Sequence, residues 1–122
     1  MEEQSDLYTK IFIDSDADKL EIIAAVSEMI GGRVSDFSIT TGLADILLFK
    51  NSDYDEVKRN QGTDAFLYYR YCLEIEPAVK AEGTFFVEEI SDLLVKLWDA
   101  GYKAVAACSY EESLPRKGGY RP

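Results

Sequence analysis

The chain has 122 residues, 47% hydrophobic and 30% charged, enough apolar material for one buried core and too little length for two. Its 13 basic side chains stand against 23 acidic ones, a formal net charge of -10, and it contains no histidine. These numbers exclude wholesale disorder, Ser–His and Cys–His nucleophile pairs and histidine-ligated metals, and they disfavour a nucleic-acid partner because an acidic body repels phosphate.

The first segment, YTKIFIDS, alternates Ile11 and Ile13 against Tyr8, Lys10 and Phe12, the period of a strand. Ser15 or Asp16 then offers a helix N-cap with Asp18 in the first turn, and Leu20, Ile23, Val26 and Ile30 form one stripe that ends at Gly31 and Gly32. RVSDFSITTG has the β-branched and aromatic content of a strand, and Thr41 with Gly42 turns it into LADILLFKN to make a hairpin. Residues 51–64, NSDYDEVKRNQGTD, are polar and read as a loop with at most one helical turn.

FLYYRYCLEIEP is the longest strand signal. Alternation places Leu67, Tyr69, Tyr71, Leu73 and Ile75 on one face and Phe66, Tyr68, Arg70, Cys72, Glu74 and Glu76 on the other. Thr84 caps a second helix with the stripe Val87, Ile90, Leu94 and Leu97, ending at Gly101, and KAVAACS gives the last strand. The order βαβββαβ predicts a single α+β domain over residues 1–122, a two-layer sandwich. Its mainly antiparallel sheet has about five strands with two helices on one face, a ferredoxin-like arrangement with one added strand.

Charge is unevenly placed as well as large. No Asp or Glu lies beyond Glu112, whereas Arg116, Lys117 and Arg121 follow it, so an acidic body ends in a basic tip. A body of that sign steers a cationic partner into contact, although solubility alone accounts for the same excess of acid. Cys72 and Cys108 lie in apolar stretches and read as buried thiols of a reducing compartment. MEEQSD is acidic where a secretory leader is basic, and no apolar run approaches the roughly 20 residues that cross a bilayer, so the expected location is the cytoplasm, with no membrane partner.

Little of this points to catalysis. Cys72 and Cys108 are too far apart in sequence and lack neighbouring histidines for a structural zinc site, and no phosphate loop, dinucleotide fingerprint or calcium loop is present. NSDYDE holds the densest acid cluster, Asp53, Asp55 and Glu56, a candidate for magnesium or for carboxylate acid–base chemistry but more simply a solvated loop. Gly118 and Gly119 beside Arg116 and Lys117 read as a frayed end, or as an anion nest. The expectation is therefore a non-enzymatic protein without metal or cofactor.

A binding role looks to the sheet face away from the helices, which carries Tyr8, Lys10, Phe12, Tyr68, Arg70, Glu74 and Glu76. The candidate partner-binding residues are Tyr68, Arg70, Glu74 and Glu76, then Asp53, Asp55 and Glu56 of the loop and Glu111 and Glu112 near the end. The same face is also the place where the chain would pair with a second copy as a self-associating structural or regulatory module, and cross-strand pairing within the sheet is the plainer account of its side chains.

FLYYRYCLEIEP and ISDLLVKLWDAGYKAVAACSYEESLPRKGGY resemble a family of small bacterial proteins, some of them similar to immunity proteins encoded beside the toxins of bacterial competition. The resemblance covers residues 66–120. It rests on a long aromatic strand, a helix of pattern LLxxLWxxG, a small-residue strand AVAAC, and an end like FExxLPxxGG that reads YEESLPRKGG here. It implies an inhibitor that binds a cognate toxin, and an acidic inhibitor suits a basic nuclease because its carboxylates occupy the place of phosphate.

Overall fold

The computed structural model describes residues 7–119. Glu2 and Glu3, and Arg121 of the basic tip, lie outside the described residues. The elements run β1 (Thr9–Asp14), α1 (Lys19–Ile30), β2 (Arg33–Ser35), β3 (Ser38–Thr40), β4 (Ala44–Lys50), β5 (Tyr71–Pro77), α2 (Gly83–Asp99) and β6 (Lys103–Ala107). One antiparallel sheet of six strands has the order β2-β3-β4-β5-β1-β6. The α+β class holds, while the count is six strands rather than five and the order of elements becomes βαββββαβ.

The extra strand arises inside RVSDFSITTG, which folds as two short strands about a turn rather than as one. Asp36 adopts φ 53 there, a left-handed conformation that short polar side chains tolerate better than branched ones. The Ser38 hydroxyl bonds the Ser35 carbonyl across the same turn. The β3–β4 hairpin forms where expected, and the Thr41 hydroxyl organises it by accepting from the Leu43 and Ala44 amides while donating to Glu89 on α2.

Both helices lie on one face of the sheet. From the central strands Ile11, Ile13, Tyr71, Leu73 and Ile75 join Ile22, Ile23 and Val26 of α1 and Phe86, Ile90, Leu93, Leu94 and Leu97 of α2 in one core. The cap of α1 is Asp18, whose carboxylate accepts from the Glu21 amide, whereas Ser15 accepts from Ala17 one turn earlier. Leu20 of the expected stripe is 67% exposed, because a helix resting on a sheet buries only one sector and Ile22 and Ile23 occupy it. Thr84 lies within α2 rather than capping it; the N-cap position is Glu82, without a side-chain capping bond. No helix among the described residues is long and apolar enough to cross a membrane.

The expected long strand is shorter than predicted. Residues Ala65–Tyr68 form a 3-10 turn and β5 begins only at Tyr71, so Leu67, Tyr68, Tyr69 and Arg70 are not members of the sheet. FLYYRY has bulky side chains at every position, so alternation carries no inside–outside contrast and no turn residue marks the break. The chain instead folds back over the sheet face that the helices leave bare, where the Phe66 ring meets Phe12 edge-on at a centroid distance of 5.5 Å. Phe12, Phe66, Cys72 and Val105 form a second, smaller core there, flanked by Phe49 and Tyr69.

Residues 115–119 are built into the fold. Arg116, Lys117, Gly118 and Gly119 all have positive φ, and this left-handed turn lies against the outer side of β6. Gly118 is buried rather than frayed. A Cβ at Gly119 would stand 2.7 Å from the Ala104 carbonyl oxygen, and one at Gly118 would stand 2.9 Å from that of Ala106. The Trp98 indole donates to the same Ala104 carbonyl at 2.9 Å, and the Arg116 guanidinium lies 4.7 Å from the Trp98 ring centroid.

Gly119→Ala is therefore expected to lower the urea midpoint by an amount equivalent to about 2 kcal/mol or more, since strain and collision add. Gly62→Ala, also at positive φ but with nothing within 4 Å of the added carbon, is expected to cost about 1 kcal/mol. Urea titration followed by Trp98 fluorescence checks the ranking, and equal costs would mean that the terminal turn does not press on β6.

Candidate functional site

The strand registers divide the face away from the helices into two halves. One row, Val105–Phe12–Cys72–Phe49, runs across β6, β1, β5 and β4 and is roofed by Phe66 and Tyr69. The next row is Ala107–Lys10–Glu74–Leu47–Ser38, and beyond it Glu76 stands opposite Asp45, Asp45 opposite Thr40, and Thr40 opposite Arg33. The second half is open. Asp45 and Glu76, two side chains of like charge, are placed opposite each other on neighbouring strands by the β4–β5 register.

Tyr8, Ser38, Asp45, Ile46, Leu47, Glu74 and Glu76 line a cleft of about 260 Å³ on this half. No basic side chain is among its lining residues, although Lys10 on β1 stands opposite Glu74 and Arg33 on β2 opposite Thr40. Leu47 is 48% exposed, so an apolar platform lies beside the acids. Burial, and then the neighbouring Glu74 carboxylate, push the Tyr8 hydroxyl from 10.0 up to about 12.

Of the residues expected to bind a partner, only Glu74 and Glu76 lie on this open half. Tyr68 and Arg70 do not project from the sheet, because they belong to the covering segment. The Tyr68 ring lies under the Lys58 ammonium at 5.2 Å, and Arg70 reaches Asp16 at 3.7 Å beside the Tyr54 and Tyr71 rings. Asp55 is committed to its own loop: amide hydrogen bonds from Lys58 and Val57 hold its carboxyl below the usual range. Asp53 and Glu56 are exposed nearby. Among the described residues no three carboxylate or thiol groups come close enough to hold a metal ion.

Near the end of the chain Glu111 accepts from the Cys108 amide at 3.1 Å, and exposed Glu112 pairs with Lys117 at 3.4 Å. Both thiols are free, Cys72 buried and Cys108 half-buried. Two members of the open half, Asp45 and Leu47, were absent from the expected set. Their signal is present in ADILLFK, where Ala44, Ile46 and Leu48 alternate with Asp45 and Leu47, but two adjacent leucines blur it.

No family model, curated protein or solved structure matches the chain.

The Tyr8 shift carries a signed consequence for stability. Below about pH 10 both folded and unfolded chains keep the phenol protonated, and the contribution is complete. Between 10.0 and about 12 the unfolded chain ionises first, so the contribution is lost as pH rises through that window. Glu74→Gln removes the adjacent negative charge and is expected to lower the Tyr8 value, which NMR titration of its phenolic carbon measures; an unchanged value would mean that burial alone sets it.

Proposed function

We propose that this chain is an immunity-type protein that binds and neutralises a cognate bacterial toxin domain, a basic nuclease, in the cytoplasm of the cell it protects. The observation that carries the reading is the open half-face, where Asp45 and Glu76 stand opposite each other, Glu74 lies one row away and Leu47 is exposed beside them. Like charges held together in an open cleft are relieved by a cation. A lysine- or arginine-rich protein surface supplies several at once and covers Leu47 as it does so.

The resemblance of residues 66–120 supplies the class of partner, and the cleft supplies the chemistry. In fold terms we read β1, β4, β5 and β6 with the two helices as a ferredoxin-like core to which the β2–β3 hairpin is added. Charge of this sign speeds encounter with a basic partner, with association reaching about 10⁸–10⁹ M⁻¹s⁻¹ at low salt in steered pairs. Self-association through the same half is disfavoured, since a two-fold contact there would bring carboxylates against carboxylates.

Co-expression with the product of the adjacent gene, followed by co-purification and a survival assay, tests the reading; no complex and no protection would remove it. Asp45→Lys with Glu76→Lys is expected to slow association by about tenfold or more at low salt, whereas Glu28→Lys on the exposed side of α1 changes it by less than about twofold. Equal effects would move the interface away from this face. The association rate of the unaltered chain should fall steeply as salt rises while dissociation changes less, and a salt-independent rate would reject steering by charge.

A further inference from the structure

Residues 51–70 roof the aromatic half of the bare sheet face, and they are bonded mainly to themselves. The Asn51 amide donates to the Arg70 carbonyl at 2.8 Å, its side chain donates to the Leu67 and Tyr69 carbonyls at 2.9 and 2.8 Å, and the Asp55 amide reaches the Tyr68 carbonyl at 3.2 Å. The two ends of the segment are thus tied to each other. None of these bonds has to break for the segment to lift as a unit, in the manner of a compact surface loop whose ends are close.

Far fewer ties hold it to the sheet. Phe66 and Tyr69 supply the apolar contact with Phe12, Cys72 and Val105, while Val57 and Leu67 point outward at 65% and 42% exposure. Ionic ties add to it: Arg59 meets Asp14 at 3.2 Å and Asp16 at 3.4 Å, and Arg70, which also lies over the Tyr71 ring, meets Asp16 at 3.7 Å. One atom of this latch is left over, since the Arg59 Nε is buried and has no hydrogen-bond partner among the described residues. Lifting the segment rehydrates that group.

We infer that residues 51–70 are a cover latched by Arg59 to Asp14 and Asp16, and that its release extends the open acidic half-face by the row Val105, Phe12, Cys72 and Phe49. The inference rests on the binding role proposed above and adds its regulation. A partner that presents an aliphatic or aromatic side chain beside its basic patch gains the uncovered row, and its own cations compete with Arg59 for Asp14 and Asp16. The closed form then presents the smaller acidic face, and the open form a contiguous acidic and aromatic one.

Cys72 reports on the cover without any partner. It is 2% exposed in the closed form, where burial pushes its thiol up to about 12, so a disulfide reagent at about pH 8 reacts only when the cover is off. Arg59→Met is expected to raise the Cys72 labelling rate by about tenfold while Cys108 labelling and the urea midpoint change little. In the unaltered chain, raising NaCl from about 0.05 to about 1 M is expected to speed Cys72 several-fold relative to Cys108 by screening the latch.

Labelling of Cys72 only at the rate of global unfolding, or equal acceleration of both cysteines, would overturn the cover. Should Arg59→Met fail to fold, the salt comparison decides alone, and an unchanged ratio of the two rates rejects the latch. Failure here leaves the acidic half-face to its own charge-reversal test, and failure of that test leaves the labelling result standing.

Discussion

Phe12 and Cys72 are buried on the side of the sheet that carries no helix, and much else in the molecule follows from that. β1 and β5 are the two strands that must be apolar on both faces at one end, where Ile13 and Tyr71 look toward the helices and Phe12 and Cys72 look away from them. One row further along, the outward positions become Lys10 and Glu74. A sheet with that pattern cannot leave its second face uniformly wet. One end needs a roof, the other needs none, and the 20 residues between β4 and β5 supply the roof.

This division accounts for how differently the acidic residues are used. Carboxylates near the roof and near the end of the chain already have partners within the chain: Asp14 and Asp16 in Arg59, Asp55 in the amides of its own turn, Glu111 in the Cys108 amide. Those on the unroofed end, Asp45, Glu74 and Glu76, have an apolar neighbour in Leu47 and no basic side chain in the cleft they line. Net charge alone does not separate the two groups. Strand register does, because it fixes which acids share a face and which lie where backbone donors need an acceptor.

Much of the architecture was legible in the residues and some of it was not. Alternation located β1 and the Tyr71–Pro77 part of β5, since polar and apolar side chains take turns there, while β6 showed as the short apolar run KAVAACS and the two helices as stripes with a candidate capping side chain before them and glycine after. It failed at FLYYRY, where aromatic and aliphatic residues satisfy either face, and at RVSDFSITTG, where a tight turn needs only one residue in an unusual conformation. Glu74 and Glu76 of the open half were legible through the strand they share. Asp45 was not placed beside them, because cross-strand neighbours depend on a register that is set by the whole sheet.

The left-handed turn at Arg116–Gly119 has a bearing on how copies of the chain can meet. By lying along β6 it occupies one margin of the sheet, while β2 at the opposite margin, three residues long, is exposed throughout. Strand-to-strand joining between molecules is thereby confined to a single side, and two molecules joined through β2 would present only blocked margins to a third. Four residues that contribute no strand thus leave the sheet with one open margin rather than two.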